Sequence, residues 1–228
     1  MNQPKTSVLV FDVNETLLDL SALGPDFESV FGDPHFLNDW FHQVIQFAMS
    51  LTLANAYRPF GEVALGVLQM LADAEGAELS LEEARRILSK VRTLPPHPDV
   101  PGALAFLKDA GFRLVTLTNN PMALVDAQMT NAELQRYFDR NFSVDTVRRF
   151  KPAPEPYRMV AEELGLAPGK MWMIAAHAWD VGGAAQVGFR TAFVRRPGKA
   201  PSPLFPKADV IGNTLLEAAE GIAGLERS

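Results

Sequence analysis

The 228-residue chain predicts an α/β fold, a doubly wound parallel sheet with a helical cap inserted after its first strand. Three observations carry this expectation. Short apolar β-type runs alternate with helical patterns, the signature of parallel βαβ units. A carboxylate, Asp12, closes the first of those runs, where open α/β sheets keep their ligand crevice. The segment at about 21–95 interrupts the alternation, with apolar residues at helical spacing and no strand pattern.

In chain order, the first strand is the run at 7–11, followed by the loop Asp12-Val13-Asn14-Glu15-Thr16. Within the inserted segment Trp40, Val44, Phe47, Ala48 and Leu51 recur at helical spacing, as do Val63, Val67, Met70 and Leu71. Leu94-Pro95-Pro96-His97-Pro98 is the return hinge, since stacked prolines favour stiff, extended backbone. Further strands are read at 113–117, 171–175, 191–194 and 209–211, with helices at about 100–110, 123–131, 155–164, 179–187 and 215–222. Pro101, Pro121 and Pro156 mark helix starts, and Gly111, Gly165 and Gly188 mark helix ends. The predicted organisation is a Rossmann-like core at 1–20 and 96–228 and a helical cap at 21–95.

Composition narrows the function classes. Hydrophobic residues at 47% and charged residues at 21% match ordinary globular proteins, so no long disordered stretch is expected. A net charge of −6 argues against a nucleic-acid partner, which needs a clustered basic surface. The adjacent pairs Arg148-Arg149 and Arg195-Arg196 read as solvated loop faces. The lack of cysteine excludes disulfides, thiolate metal sites and thiol catalysis, and is compatible with a reducing cytoplasm. Met1 to Thr6 shows no charged leader or apolar signal core, and no apolar run reaches spanning length. A soluble, cytoplasmic protein without a membrane partner is expected.

Four loops carry polar residues where a connector would need only turn formers. They are Asp12 to Thr16, Thr118-Asn119-Asn120-Pro121, Phe150-Lys151-Pro152-Ala153-Pro154, and Ala175-Ala176-His177-Ala178-Trp179-Asp180. In order, spacing and insertion these loops resemble the haloacid dehalogenase superfamily over essentially the whole chain, and the type II 2-haloacid dehalogenases most. The most specific elements are the Asp12 loop, Lys151-Pro152 with Tyr157 six residues after the lysine, and Ala178-Trp179-Asp180 opening a helix. The resemblance implies an active-site role for Asp180, an association of Asn119 with the departing halide, L substrates and a homodimer.

The residues can also be read by their own chemistry. Asp12 must be ionised to act as a nucleophile, and the Lys151 ammonium would keep it so. Thr16, Thr118 and Asn119 supply donors suited to a substrate carboxylate, although turn and cap bonds are the commoner use of such residues. Tyr157 is read as reaching the pocket rim. Phe41, Trp179, Phe60 and Tyr57 are read as an apolar wall around a small halogenated carbon, with ordinary cap–core packing as the alternative.

Three departures from the family pattern sharpen the reading. Superfamily phosphatases carry a second Asp two residues after the nucleophile as general acid and bind Mg²⁺ through acidic groups on the fourth loop. Here that position is Asn14, which has no titrating proton, and halide needs none on leaving. Type II dehalogenases place an arginine after the tryptophan of the first cap helix, whereas Trp40 is followed by Phe41. The fourth loop reads Ala175-Ala176-His177 where many members have Ser-x-Asn. His177 with Glu15 then forms a candidate dyad, the carboxylate orienting the imidazole to deprotonate water.

The expected function is hydrolytic dehalogenation of a short L-2-haloalkanoic acid through an ester on Asp12, with no metal and no organic cofactor. The alternatives are a Mg²⁺-dependent phosphatase using Asp12 and Asp180, and a catalytically silent binding protein.

Overall fold

The computed structural model describes residues 7–227; residues 1–6, on which the expectation of no leader or signal core falls, lie outside them. A six-stranded parallel sheet runs in the order β3-β2-β1-β4-β5-β6. Its strands are β1 (Val8–Phe11), β2 (Arg113–Thr118), β3 (Arg140–Ser143), β4 (Met171–Ala175), β5 (Arg190–Val194) and β6 (Val210–Gly212). Every residue of β1 and β4 is buried, as expected of central strands covered on both faces, which therefore read as unbroken apolar runs. Chain order reverses between β1 and β4, and that switch point is where a doubly wound sheet opens its crevice.

Helices α1 (Gly24–Phe31), α2 (Phe36–Leu53), α3 (Phe60–Glu75) and α4 (Leu81–Ser89) lie between β1 and β2. No strand intervenes among the described residues of this segment. Chain exit and return are pinned by a bridge between Leu18 and Pro96. The predicted stripe of Trp40, Val44 and Ala48 is buried, and the Trp40 indole donates to the Ala64 carbonyl at 3.0 Å, joining α2 to α3. Met70 departs from its predicted inward face and is 48% exposed. Helix α4 begins at a side-chain N-cap, with Ser80 Oγ accepting from the Glu83 amide at 3.1 Å.

The remaining helices are α5 (Val100–Asp109), α6 (Met122–Asn131), α7 (Pro154–Leu164), α8 (Ala178–Gln186) and α9 (Leu215–Leu225). The sequence reading missed β3. Its Arg140-Asn141-Phe142-Ser143 is an edge strand without apolar alternation. Pairing with β2 and a bond from Thr116 Oγ1 to Asn141 Oδ1 at 2.9 Å define it instead.

The inserted helices are stitched to the sheet on one side. The Phe150 amide donates to Thr52 Oγ1 at 3.0 Å, Arg149 donates to the Thr52 carbonyl, and the Tyr57 hydroxyl bonds Asp145. Gln128 and Asn131 of α6 donate to the Val91 and Arg92 carbonyls at 2.9 and 3.0 Å.

Candidate active site

The loops after β1, β2, β3 and β4 all emerge at the same sheet edge. The Asp12 amide continues the β1–β4 ladder by donating to the Ile174 carbonyl at 3.1 Å, which sets its side chain at the switch point. Both carboxylate oxygens are occupied. Oδ1 accepts from Lys151 Nζ at 2.8 Å, and Oδ2 accepts from Thr16 Oγ1 at 2.7 Å and lies 3.0 Å from His177 Nδ1. Burial alone would raise the Asp12 pKa, but the charges and bonds of Lys151 and His177 outweigh it and hold the carboxyl well below the usual range. A group so held is a carboxylate at any physiological pH.

Lys151 has three donors and three acceptors: Asp12 Oδ1, the Leu117 carbonyl at 2.9 Å and Asp180 Oδ2 at 2.6 Å. Burial disfavours its charge, yet the two carboxylates raise its pKa above the ordinary value. Asp180 is raised by burial and by Asp12 despite Lys151. It also accepts from the Tyr157 hydroxyl at 2.6 Å. The Lys151 ammonium thus bridges the two acidic loops, bonded to one oxygen of Asp12 and one of Asp180. Among the described residues no cluster of three or more His, Asp or Glu is placed to hold a metal ion.

His177 lies between two carboxylates, with Nδ1 on Asp12 at 3.0 Å and Nε2 on Glu15 Oε2 at 2.8 Å. Burial opposes the imidazolium, but bonds to Asp12 and Glu15 and their charges push its pKa up to about 9. In the resting protein it is a cation donating from both nitrogens. Glu15 adopts a left-handed backbone, φ 60°, which turns its side chain towards His177. Burial raises the Glu15 pKa, while His177 and Lys199 more than reverse that. Lys199, in the loop after β5, reaches the same Oε2 at 2.8 Å. Three acidic groups, Asp12, Glu15 and Asp180, therefore meet three cationic ones, Lys151, His177 and Lys199.

The other predicted residues fall into two groups. Thr118, Asn119, Phe41, Phe60 and Trp179 line a void of about 10 Å³ beside Asp12 and His177, joined by Asn14 and by Ile45, which the sequence did not flag. The Trp179 indole stacks on His177 with ring centroids 4.9 Å apart, and Phe41 covers it at 5.9 Å. A wider cavity of about 240 Å³ adjoins this void, sharing Phe41, Ile45, His177 and Trp179 and bordered by His42 and Lys199.

Thr16 and Tyr157 are placed differently from the substrate-binding expectation. Thr16 Oγ1 donates to Asp12 and accepts from the Ala176 amide at 2.9 Å, so its hydroxyl is spent tying the first loop to the fourth. Tyr157 is fully buried and holds Asp180 rather than lining the void. Tyr57 packs on Phe150 at 4.9 Å, away from the void.

Asn14 is engaged by a buried amide network. Its Oδ1 accepts from Gln128 Nε2 at 3.0 Å and from Asn120 Nδ2 at 3.4 Å. Asn119 Oδ1 accepts from the Lys151 amide at 3.1 Å, and Thr118 Oγ1 from the Asn120 amide at 3.1 Å. Arg196 donates to the Thr16 carbonyl and forms a two-pronged pair with Asp99 at 2.8 and 2.9 Å.

Comparison with known proteins finds relatives in sequence and in fold. The haloacid dehalogenase-like hydrolase family matches residues 6–188. An (S)-2-haloacid dehalogenase of Xanthobacter autotrophicus is 30% identical over 82% of this chain and 74% of its own. The (S)-2-haloacid dehalogenase 4A of Burkholderia cepacia is 28% identical over 91% of each. The solved L-2-haloacid dehalogenase of Xanthobacter autotrophicus, with chloropropionic acid covalently bound, superposes with a TM-score of 0.89 at 24% identity, covering 96% of this chain and 99% of that one. That likeness extends across both the sheet and the inserted helices.

Proposed function

The chain belongs to the haloacid dehalogenase-like hydrolases, and from that premise we propose that it is a carbon–halide hydrolase converting short L-2-haloalkanoic acids to 2-hydroxy acids through an ester on Asp12. The observation that carries this reading is the contact set of Asp12: an ionised, buried carboxylate held by Lys151, with a histidine at 3.0 Å and an amide, Asn14, where phosphoryl transfer would need an acid.

Asp12 displaces halide from Cα with inversion. Esterification then removes its negative charge, and with it one of the two partners that keep His177 protonated. The imidazolium loses its Nδ1 proton to water, retains the Nε2 proton against Glu15, and becomes a base facing the new ester. It takes a proton from water as the water oxygen bonds to the Asp12 carboxyl carbon. Collapse breaks the bond between that carbon and the ester oxygen, and His177 returns the proton to the leaving alkoxide. The base is thus formed only after halide has gone, which keeps hydroxide away from the first step. With phenylalanine at 41, the resting His177 cation also supplies positive charge beside the anionic substrate. The void of about 10 Å³ bounded by Phe41, Ile45, Phe60 and Trp179 has room for about one water, and the adjoining cavity of about 240 Å³ has room for a short chain and little more.

One experiment tests the route. With enzyme in excess over L-2-chloropropionate in ¹⁸O-water, the first-turnover 2-hydroxy acid carries ordinary oxygen and the heavy isotope appears in Asp12. Asp12→Asn releases no halide. Heavy oxygen in the first product would mean direct attack by water and no ester.

A further inference from the structure

Lys199 belongs to none of the motif loops and takes no direct part in the ester chemistry. Hydrolysis of R–X by water yields R–OH, halide and one proton, so His177 must shed its Nδ1 proton in each turnover and then present that nitrogen, and not Nε2, to the water. Which nitrogen keeps its proton is decided by Glu15, because a charged carboxylate against Nε2 favours the tautomer protonated there. Glu15 in turn shares a single oxygen, Oε2, between His177 Nε2 and Lys199 Nζ, each at 2.8 Å. The lysine side chain is 14% exposed and lies over the Phe41 ring at 5.9 Å. It follows Gly198, whose left-handed φ of 72° turns the loop inward.

Among the described residues other groups do not replace it. Asp12 and the nearby Asp19 carry acidic side chains, which cannot take the place of an ammonium, and the His97 imidazole bonds the Glu15 carbonyl, not its side chain. His97 is also held below its ordinary pKa by burial and by Arg196. Arg196 is committed to Asp99 and Thr16, and His42 of α2 borders the cavity, while the Glu15 carboxylate bonds His177 and Lys199.

We propose that Lys199 is a positioning residue for water activation, anchoring Glu15 in its charged form against His177 Nε2 so that Nδ1 is the free base beside the Asp12 ester. The proposal rests on the ester route. Atoms and protons balance: the Nδ1 proton leaves with the halide, the proton taken from water passes to the alkoxide, and the proton left on the regenerated Asp12 carboxyl returns to His177. Lys199 also tempers the base, since without its charge the imidazolium of the ester form would hold its proton more tightly.

The test separates the half-reactions with enzyme in excess, following halide release and decay of the Asp12 ester by rapid quench and mass spectrometry. Lys199→Met is expected to slow ester decay by roughly 10- to 100-fold, at or below the lower end of a full general-base contribution as suits a residue acting through another, and halide release by less than about threefold. Its ester-decay profile should move its acid limb to higher pH, and Lys199→Arg should restore most of both properties. An unmoved limb with wild-type ester decay overturns the proposal, as does equal slowing of both half-reactions, which marks a merely structural lysine. If Lys199→Met fails to fold, Lys199→Gln reads the same two rates. Failure to detect any ester in the unsubstituted protein sinks the ester route itself, a result distinct from either.

Discussion

His177 ties catalysis and stability to one proton. Its pKa is raised from 6.5 to about 9, so its contribution to folding is fully present below 6.5 and is lost as pH climbs through about 9. Asp12 and Glu15 are lowered from 3.8 and 4.5, so their contributions are present above those values and fade as pH falls. Maximum stability is expected between the two limits. On the alkaline side the linkage amounts to about 3 kcal/mol at 1.36 kcal/mol per pKa unit. Melting temperatures between pH 6.5 and 9.5 should therefore fall for the unsubstituted protein and stay nearly level for His177→Asn; parallel slopes would show that the imidazole is not charged in the fold. The Asp12–His177–Glu15 line was legible in the sequence because the family resemblance put the first and fourth loops at one crevice, at the ends of neighbouring strands. Lys199 was not legible, since the Pro197-Gly198 turn that delivers it carries no periodic signal. Thr16 and Tyr157 were assigned to substrate because a sequence displays donors without their acceptors. Here those acceptors are Asp12 and Asp180.

At the scale of elements, α8 illustrates how closely the loops must approach. A Cβ at Gly183 would stand 2.6 Å from the Pro152 ring, 2.8 Å from its carbonyl oxygen and 2.9 Å from the Tyr157 hydroxyl. Backbone cannot yield as a flexible side chain does, so Gly183→Ala should cost roughly 1–3 kcal/mol by overpacking. It should also impair turnover at temperatures where the variant is still folded, because Pro152 follows Lys151 and Tyr157 holds Asp180. Gly102 in α5 is the control, with nothing within 4 Å of its added Cβ. There Ala should be neutral or stabilising by up to about 1 kcal/mol. Thermal melts alongside halide release check both, and equal behaviour of the two variants would refute the packing argument. The strands read from the sequence were those with apolar runs, and their ends agree with the structure within a residue or so. Edge strand β3 escaped because its pairing rests on Thr116–Asn141 bonding and not on hydrophobic pattern.

For the molecule as a whole, the fold class and the insertion between β1 and β2 were readable from the change of rhythm alone. The one-sided stitching of Thr52 to Phe150 was not, because it depends on a long-range meeting of two polar segments. The homodimer implied by the family resemblance stays a proposal, to be checked by light-scattering mass. The matched ledger of three acidic and three cationic groups at the site has a kinetic consequence. A reactive centre whose fixed charges cancel offers no long-range attraction, while the chain as a whole carries −6. An anionic acid is then mildly repelled during its diffusional approach and bound only on arrival. Added ionic strength shortens the reach of that repulsion to roughly 10 Å at 0.1 M. Sodium sulfate, chosen to avoid competing halide, should accordingly leave kcat/KM unchanged or raise it by up to about twofold, the opposite of an enzyme that steers its substrate in by field; a steep fall would mean that uncancelled positive charge guides the encounter.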